Sequence, residues 1–239
     1  MKILFLTTDT IHHCYFIDQI KKFNDNFFII LENIKNSNLN SIEKKRRKFE
    51  KLNWYKNKKY ISIENKYKNQ LVTTNNINST KVIKLIKNLK PELVISFGVS
   101  KLSKNIIDIS KNKIFNIHGG DVEKYRGLDS HPWSVYHSDL KSLKVTIHAV
   151  SEVLDGGKIY KIKKIDLNKN SKYFHLRYLT TNLAIKIILE LIIQLRSNKK
   201  IILQKNNKPG RYYSNIPYEI EINLIKKFRN IIKKKYEQN

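Results

Sequence analysis

The sequence predicts an α/β protein with a Rossmann-like, mostly parallel twisted sheet that is flanked by helices. The chain opens with a short apolar run (residues 2–8), a helix that Asp9 or Thr10 can cap, and a second apolar run (residues 27–31). This strand–helix–strand order is typical of parallel sheets with crossover helices. Two later apolar runs, residues 93–97 and 114–117, are expected to add further strands to the same sheet.

The remaining elements follow from apolar periodicity and from turn residues. Residues 33–78 are rich in Asn and Lys, and within them residues 42–59 are expected to form a charged helix with Phe49, Leu52 and Trp54 as apolar contacts. The other expected elements are helices at 10–23, 79–89, 106–109, 132–140, 172–196 and 220–236, strands at 144–150 and 158–165, and a terminal strand pair of 201–204 with 211–214. We expect a catalytic domain over residues 1–170 and a helical and β-hairpin extension over residues 171–239.

Composition narrows the class of protein. A chain of 239 residues can bury a sizeable core. The single cysteine, Cys14, excludes an intramolecular disulfide and fits a reducing compartment, and the first residues are too short for a signal peptide. The most apolar stretch, residues 183–195, is interrupted by Lys186, Glu190 and Gln194 at helical spacing. We therefore expect a cytoplasmic protein with an amphipathic core helix and no membrane insertion.

The formal net charge of +27 does not select a partner by itself. A positive field attracts anionic substrates, nucleic acid and anionic surfaces alike. Lys, Asn and Ile are all abundant, as an AT-rich coding sequence would favour. The basic run at residues 43–51 resembles a nucleic-acid patch, but a lone charge run is more often a solvated helix face. Nucleic-acid binding without catalysis stays an alternative that we do not prefer.

Polar residues of catalytic types follow two of the apolar runs. Asn116 and His118 lie at the end of the run at 114–117, and Asp155 lies in a Gly-rich turn after the run at 144–150. In a doubly wound sheet, ligands bind outside the carboxyl ends of the strands. The loops expected to converge there are those after residues 8, 97, 117 and 150. If both runs belong to one sheet, their carboxyl ends can bring the three side chains together.

These three side chains suit acyl transfer to an amine. The Asn116 amide can donate to a tetrahedral oxyanion, and the loss of one such donor typically costs on the order of 10²–10³ in rate. His118 can share the oxyanion or carry the proton of the amine. Asp155 can hold the imidazole in one tautomer and stabilise its charged form. Each residue alone also has an ordinary explanation in a loop or a turn.

The stretch from Phe115 to Ile159 resembles the formyltransferases that use N10-formyltetrahydrofolate. Its Asn-x-His, Tyr-Arg-Gly, Val-Thr-Ile-His and Leu-Asp-x-Gly elements occur in the order of that family, and the resemblance covers about residues 81–162. It implies catalytic roles for Asn116, His118 and Asp155, with the folate as co-substrate. It also implies that the folate is lined by Gly98, Val99, Ser100, Lys101, Leu102, Val153 and Leu154.

Departures from the family pattern favour one class of acceptor. The branches acting on methionyl-tRNA and on glycinamide ribonucleotide usually carry His-Pro-Ser-Leu-Leu-Pro after the Asn, whereas His118 is followed here by Gly-Gly-Asp. Residues 7–13 also lack the Gly-rich phosphate loop of the glycinamide branch. The pattern is similar to the branch that formylates nucleotide-linked amino sugars for surface glycans, such as 4-amino-4,6-dideoxyhexoses or related 3-amino sugars. Formylation of methionyl-tRNA or glycinamide ribonucleotide, and hydrolysis of the donor, stay as alternatives.

Contacts to the acceptor are expected from His13, Gly119, Gly120, Asp121, Tyr125 and Arg126. His13 lies where a helix N-terminus would face a phosphate. Arg126 either binds a pyrophosphate or fixes its own loop, and Asp121 either orients the amine or only forms a turn.

The other histidines are expected to be structural. His148 lies within a predicted strand, and neither it nor the other histidines of this region have the spacing of metal ligands. We therefore expect no metal. The oligomeric state is open, with a homodimer as one expectation.

Overall fold

The chain folds around one large sheet. The computed structural model describes residues 1–34, 40–56, 58–110, 113–208 and 210–237. The strands are β1 (Ile3–Thr7), β2 (Phe27–Glu32), β3 (Leu71–Thr74), β4 (Leu93–Phe97), β5 (Ile114–His118), β6 (Tyr125–Gly127), β7 (Lys144–Ala149), β8 (Ile159–Lys164) and β9 (Arg211–Tyr213). The α-helices are α1 (Ile11–Lys21), α2 (Ser41–Glu50), α3 (Ile63–Lys66), α4 (Thr80–Leu89), α5 (Lys104–Ile109), α6 (Ser130–Tyr136), α7 (Leu176–Arg196) and α8 (Tyr218–Glu237).

The main sheet has seven strands in the order β3–β2–β1–β4–β5–β7–β8. The first five are parallel to one another, and β7 and β8 are antiparallel to their neighbours. Successive residues of a strand point to opposite faces of the sheet, and helices cover both of these faces. Ile3 and Phe5 of β1 belong to the core that contains α1 and α7, whereas Leu4 and Leu6 belong to the core that contains α4 and α5. The predicted Rossmann-like class is confirmed.

Local signals placed most elements correctly. Thr10 begins α1 by accepting a hydrogen bond from His13 N, and Ser79 begins α4 in the same way. The charged helix expected at 42–59 is shorter, since α2 ends at Glu50 and one π-helical turn follows. Leu52, expected as an apolar contact, is 59% exposed, so that detail is wrong.

Strand β3 was not expected from the sequence. β3 lies at the edge of the sheet, and none of its four residues is fully buried. An edge strand of this kind does not need the apolar run that marks the inner strands.

The direction of β7 differs from the expectation. Ala149 at the end of β7 pairs with Phe115 near the start of β5, so the carboxyl ends of these two strands lie at opposite edges of the sheet. The expectation that both carboxyl ends meet is therefore wrong. A buried strand reads as an apolar run in either direction, so the sequence does not reveal this reversal.

The terminal strand pair is also wrong. β9 pairs in parallel with β6, and Gln204 forms an isolated antiparallel bridge with Ile159. Both segments of the expected pair therefore contact the first 170 residues and do not contact each other as a hairpin. Helices α7 and α8 contribute to the same core as the sheet. The division at residue 170 stays a prediction.

One helical segment, Tyr173–Arg196, is long and apolar enough to cross a membrane by length and composition. It is the segment predicted to be an amphipathic core helix. Residues along it, including Ala184, Ile188 and Leu191, are fully buried in the core beside the sheet. The same length and composition also occur in core helices of soluble proteins, so the expectation of no membrane insertion stays a prediction.

Candidate active site

A cleft of about 400 Å³ lies at the carboxyl ends of β4 and β5. Asn116, His118 and Asp155 line it together. Asn116 and His118 are two positions apart on β5, so their side chains leave the same face of the sheet. Asp155 reaches them from the loop that follows β7, and its φ of +51° shows a tight turn there. The three predicted catalytic residues therefore meet, although β7 runs in the unexpected direction.

The Asp155 carboxylate is the centre of this cluster. Oδ1 accepts from Asn116 Nδ2 at 3.2 Å and lies 3.3 Å from His148 Nε2. Oδ2 accepts from the Gly127 backbone N–H at 2.8 Å and lies 3.4 Å from His118 Nδ1. Asp155 is only 6% exposed, so these donors replace water around its charge.

Both ring nitrogens of His118 face acceptors. Nε2 lies 2.9 Å from the Tyr125 carbonyl oxygen, which requires a proton on Nε2. The Ser130 hydroxyl lies 3.2 Å from the same nitrogen. Nδ1 is therefore the nitrogen that gains or loses a proton, and it does so beside the Asp155 carboxylate. The pair is arranged to take up one proton from a reacting group.

For both His118 and Asp155, burial and the neighbouring charges shift the pKa in opposite directions. Burial lowers the pKa of His118 below its ordinary value, and Asp155 raises it without cancelling the effect of burial. Burial alone would raise the pKa of Asp155, but the His118 and His148 rings and the Gly127 N–H outweigh it and hold that pKa well below its usual range. Asp155 is therefore an anion at neutral pH, and His118 releases a proton readily.

His148 also belongs to this cluster, although the sequence predicted it to be a structural residue. It pairs with Asn116 across β5 and β7, so both side chains lie on one face of the sheet. Its Nε2 is 3.2 Å from Asn116 Nδ2 and 3.3 Å from Asp155 Oδ1, while its Nδ1 donates to the Ala149 carbonyl oxygen at 3.0 Å. The correct strand register would have revealed it.

One side of the cleft contains the residues predicted to line the folate. Gly98, Val99, Ser100, Lys101, Leu102, Val153 and Leu154 all line the cleft. The Gly98–Leu102 loop is held from behind, because the buried Glu32 carboxylate accepts from Ser100 N at 2.7 Å and the Asn78 amide donates to Lys101 O at 2.9 Å. These supports were not predicted.

Gly98 must be glycine for two reasons. Its φ is +75°, and a Cβ at this position would lie 2.5 Å from Cε1 of His13. His13 lines the cleft, but its Nδ1 donates to the Thr8 carbonyl oxygen at 3.0 Å, and burial lowers its pKa to about 3. In this neutral tautomer Nε2 is an acceptor, which does not fit the expected contact with a phosphate.

Four predicted acceptor contacts, Gly120, Asp121, Tyr125 and Arg126, do not line the cleft. Gly120 packs behind His118, since a Cβ there would lie 2.6 Å from His118 Nε2. Asp121 is 1% exposed and pairs with Lys144 at 2.8 Å, and Tyr125 is buried and fixes His118 through its carbonyl. These three residues pack behind the site and do not face the cleft.

Arg126 fixes its own loop. Its guanidinium donates to the carbonyl oxygens of Gly210, at 2.5 Å, and Leu154, at 3.5 Å. The sequence left open whether Arg126 binds a pyrophosphate or fixes its own loop, and these hydrogen bonds favour the second interpretation. Gly119 does line the cleft as predicted, beside Thr180 of α7.

The second side of the cleft contains residues that the sequence reading missed. Arg46 of α2 and Arg177 of α7 line it. Arg177 makes paired bonds to Glu50, at 2.6 and 2.9 Å, and to Glu43, at 2.9 and 3.0 Å. The basic run at 43–51 is therefore only partly a solvated face. The two glutamates within this basic run, Glu43 and Glu50, were the available signal.

The described residues contain no group of three or more His, Cys, Asp and Glu side chains arranged to hold a metal ion. The histidines around Asp155 take hydrogen-bond partners instead.

Comparison with known proteins identifies the family. A model of the formyl transferase family matches residues 1–191. The chain belongs to this family. The matched residues include the whole seven-stranded sheet and the Asn116, His118 and Asp155 cluster.

A methionyl-tRNA formyltransferase from Finegoldia magna is 34% identical over 99 residues, which are 41% of this chain and 32% of that protein. The chain thus spans about a third of the length of this curated relative. A solved sugar N-formyltransferase from a Shewanella species has a TM-score of 0.61 at 16% identity, covering 95% of this chain and 87% of that one. The formyltransferase PseJ from Anoxybacillus kamchatkensis has a TM-score of 0.52 at 19% identity, covering 90% and 86%. The PseJ structure is a complex with UDP-4,6-dideoxy-4-formamido-L-AltNAc and tetrahydrofolate. At these identities the two structures establish a shared fold.

Proposed function

We propose that the protein is an N-formyltransferase that moves a formyl group from N10-formyltetrahydrofolate to the amine of a nucleotide-linked amino sugar. The observation that carries the proposal is the Asn116–His118–Asp155 cluster at the base of a two-sided cleft. Transfer between two nitrogens needs one donor of hydrogen bonds to the oxyanion and one group that accepts a proton. The cluster supplies both, and membership of the formyl transferase family supports the reaction class.

The chemistry assigns a role to each residue. As the amine attacks the formyl carbon, the carbonyl oxygen gains negative charge, and the Asn116 amide donates to it. His118 accepts the proton that the attacking amine must lose. Asp155 stabilises the imidazolium that results, at 3.4 Å from Nδ1. When the tetrahedral intermediate collapses, the bond between the formyl carbon and N10 breaks, and His118 returns the proton to N10, which leaves as tetrahydrofolate. No covalent enzyme intermediate is required.

We place the folate on the side formed by the Gly98–Leu102 loop and by Val153 and Leu154. A flat pterin fits between two loop backbones, whose N–H and C=O groups can form hydrogen bonds with its edge. Val153 is 56% exposed and Leu102 is buried, so this side offers an apolar surface at the entrance and in the interior. The bound tetrahydrofolate of PseJ supports this donor class.

We place the acceptor on the second side, between α2, α6 and α7. Arg46 and Arg177 line this part of the cleft, and a diphosphate bound there would share them with their glutamate partners, Glu221 for Arg46 and Glu43 and Glu50 for Arg177. His12 also lines the cleft at the start of α1. Its Nδ1 lies 3.1 Å from the Thr10 hydroxyl, and when that hydroxyl donates to Nδ1 the ring proton is on Nε2, where it can be donated to an anion. His12 thus fits the phosphate contact that was expected of His13.

A nucleotide sugar and a reduced folate are cytoplasmic substrates, so the proposal includes a cytoplasmic location and a place in surface glycan biosynthesis. Methionyl-tRNA is the second candidate acceptor, because the Finegoldia magna relative is named for it. That match covers only 41% of this chain.

The test is a transfer assay read by mass spectrometry. The protein is incubated with N10-formyltetrahydrofolate and UDP- and dTDP-linked 4-amino and 3-amino dideoxyhexoses, and separately with methionyl-tRNA and glycinamide ribonucleotide. His118→Ala is the inactive control, and Lys87→Ala, on the exposed face of α4, is the matched surface control. We expect formylation of one amino sugar nucleotide by the wild type and by Lys87→Ala. Transfer to tRNA alone would contradict the acceptor class.

A further inference from the structure

Asp129 lies between two residues that contact the catalytic cluster. Gly127, two positions before it, donates its N–H to Asp155 at 2.8 Å. Ser130, the next residue, places its hydroxyl 3.2 Å from His118 Nε2. Asp129 itself lines the cleft and has a φ of +49°, a conformation that an L-residue adopts only at a cost. The backbone therefore places Asp129 on the wall of the cleft, close in sequence to residues that contact the cluster.

Only one oxygen of the Asp129 carboxylate is engaged by the protein. Oδ2 accepts from the Ile216 N–H at 3.0 Å. The side chain precedes α6 without capping it. Among the described residues, no donor is found for Oδ1. One carboxylate oxygen is thus available to a ligand in the cleft.

The charges around Asp129 do not neutralise it. Arg46 on α2 is a cation that acts on the Asp129 carboxylate, but it pairs with Glu221 of α8 at 2.6 Å. Within the described chain, Asp129 takes part in no ion pair. Burial, together with Glu221 and Glu43, raises its pKa above the ordinary value, and Arg46 opposes this only in part. Such a carboxylate gains from a cationic partner.

Asp129 and Asp155 are the two acids that line the cleft. Asp155 is surrounded by four nitrogen atoms and has no free direction. The other charged lining residues, Lys101, Arg46 and Arg177, are cations. A substrate that carries one positive group among negative phosphates therefore has a single acidic partner available.

We propose that Asp129 binds the protonated amino group of the acceptor and selects an amine over a hydroxyl at that position. This inference rests on the proposed function, since it names the group that the acceptor side recognises. An ammonium offers three N–H donors, and a carboxylate accepts them more strongly than a neutral group does. Because an ammonium has no lone pair, the bound group first gives one proton to the Asp129 carboxylate, and His118 takes the second proton as the neutral nitrogen attacks.

The test measures binding, so it does not depend on turnover. Isothermal titration is performed with UDP- and dTDP-linked 4-amino-4,6-dideoxyglucose and with the matching 4-hydroxy nucleotides. Asp129→Asn is isosteric and keeps an oxygen for Ile216 N, and Asp129→Ser is a second neutral variant if the first does not fold. Lys87→Ala is the surface control.

We expect the wild type to bind the amine about 10- to 100-fold more tightly than the hydroxyl, the range of a charge-assisted hydrogen bond. The preference should fall as pH rises and the amine loses its proton. In either neutral variant the preference should fall close to one, with hydroxyl binding unchanged. A neutral variant that folds and keeps the preference for the amine would overturn this inference. Formylation of the amine by the wild type would still uphold the proposed function. If no nucleotide sugar binds the wild type, both are wrong.

Discussion

The substitution Asp155→Asn tests how the cluster is built. The side chain keeps its shape and loses its charge. The Gly127 N–H is fixed backbone at 2.8 Å, so the amide oxygen should stay on that side. The new NH₂ group then faces the Asn116 amide, whose Nδ2 lies 3.2 Å from the present oxygen and loses its acceptor, so two donors meet there. Buried donors without acceptors cost about 1–3 kcal/mol, so the free energy of unfolding should fall by about that amount.

The effect on turnover should be larger than the effect on stability. Without the carboxylate, the imidazolium of His118 loses its stabilising partner, and its pKa falls further below the ordinary value. We expect turnover to fall by about 10²–10⁴-fold. The bend that His118 gives to the pH profile should move to lower pH. Since burial already holds this pKa below its ordinary value, the wild-type bend should itself lie on the acidic side of the ordinary histidine range.

The assay is a pH series of acceptor kcat/KM for both proteins, with the chemical step shown to limit the rate. Stability gives a second readout. The pKa of Asp155 is lower in the folded state, so its charge stabilises the fold above its unfolded pKa of about 3.9, and this stabilisation is lost as pH falls through the folded pKa. The variant should lack this acid dependence. Equal bends in the two proteins, or turnover near that of the wild type, would refute the linkage between Asp155 and His118.

Three further substitutions have defined outcomes. Gly98→Ala forces a Cβ to 2.5 Å from His13, so we expect a loss of about 1–3 kcal/mol in the free energy of unfolding, measured by thermal melts, and a higher KM for the folate donor. An unchanged donor KM would contradict the assignment of this loop to the folate. His148→Ala removes a partner of the central carboxylate and should lower kcat by about 10- to 100-fold with little change in acceptor KM, whereas unchanged kcat would make the ring structural. Arg177→Met leaves the fully buried Glu50 carboxylate unpaired and should cost about 3–5 kcal/mol in urea unfolding, and a loss below 1 kcal/mol would show that Glu50 finds another partner.

The sequence predicted the inner strands and the proximity of Asn116, His118 and Asp155 largely from local signals. The buried strands are continuous apolar runs, and the caps at Thr10 and Ser79 mark the helix starts. Asn116 and His118 lie on one strand, so their proximity follows from a spacing of two. Asp155 was assigned to the same site because it follows the apolar run at 144–150, and the family resemblance implied the same role.

Residues that depend on register or on distant packing could not be predicted. His148 belongs to the site only because β7 is antiparallel and places it opposite Asn116. Asp129 and Arg177 line the cleft because α6 and α7 pack around it, and no local pattern marks their positions. Asp121 was expected at the acceptor because it follows the Asn-x-His motif closely, yet its carboxylate points to Lys144 and is buried.

The most direct test of the central claim is mass-detected transfer of the formyl group from N10-formyltetrahydrofolate to a nucleotide-linked amino sugar. The wild type should convert the amine to the formamide, and Asn116→Ala and His118→Ala should each lower the rate by at least about 10²-fold while folate binding is retained. Formamide production at wild-type rates by both variants would contradict the proposed active site, and its absence with every nucleotide-linked amino sugar in the panel would contradict the proposed function.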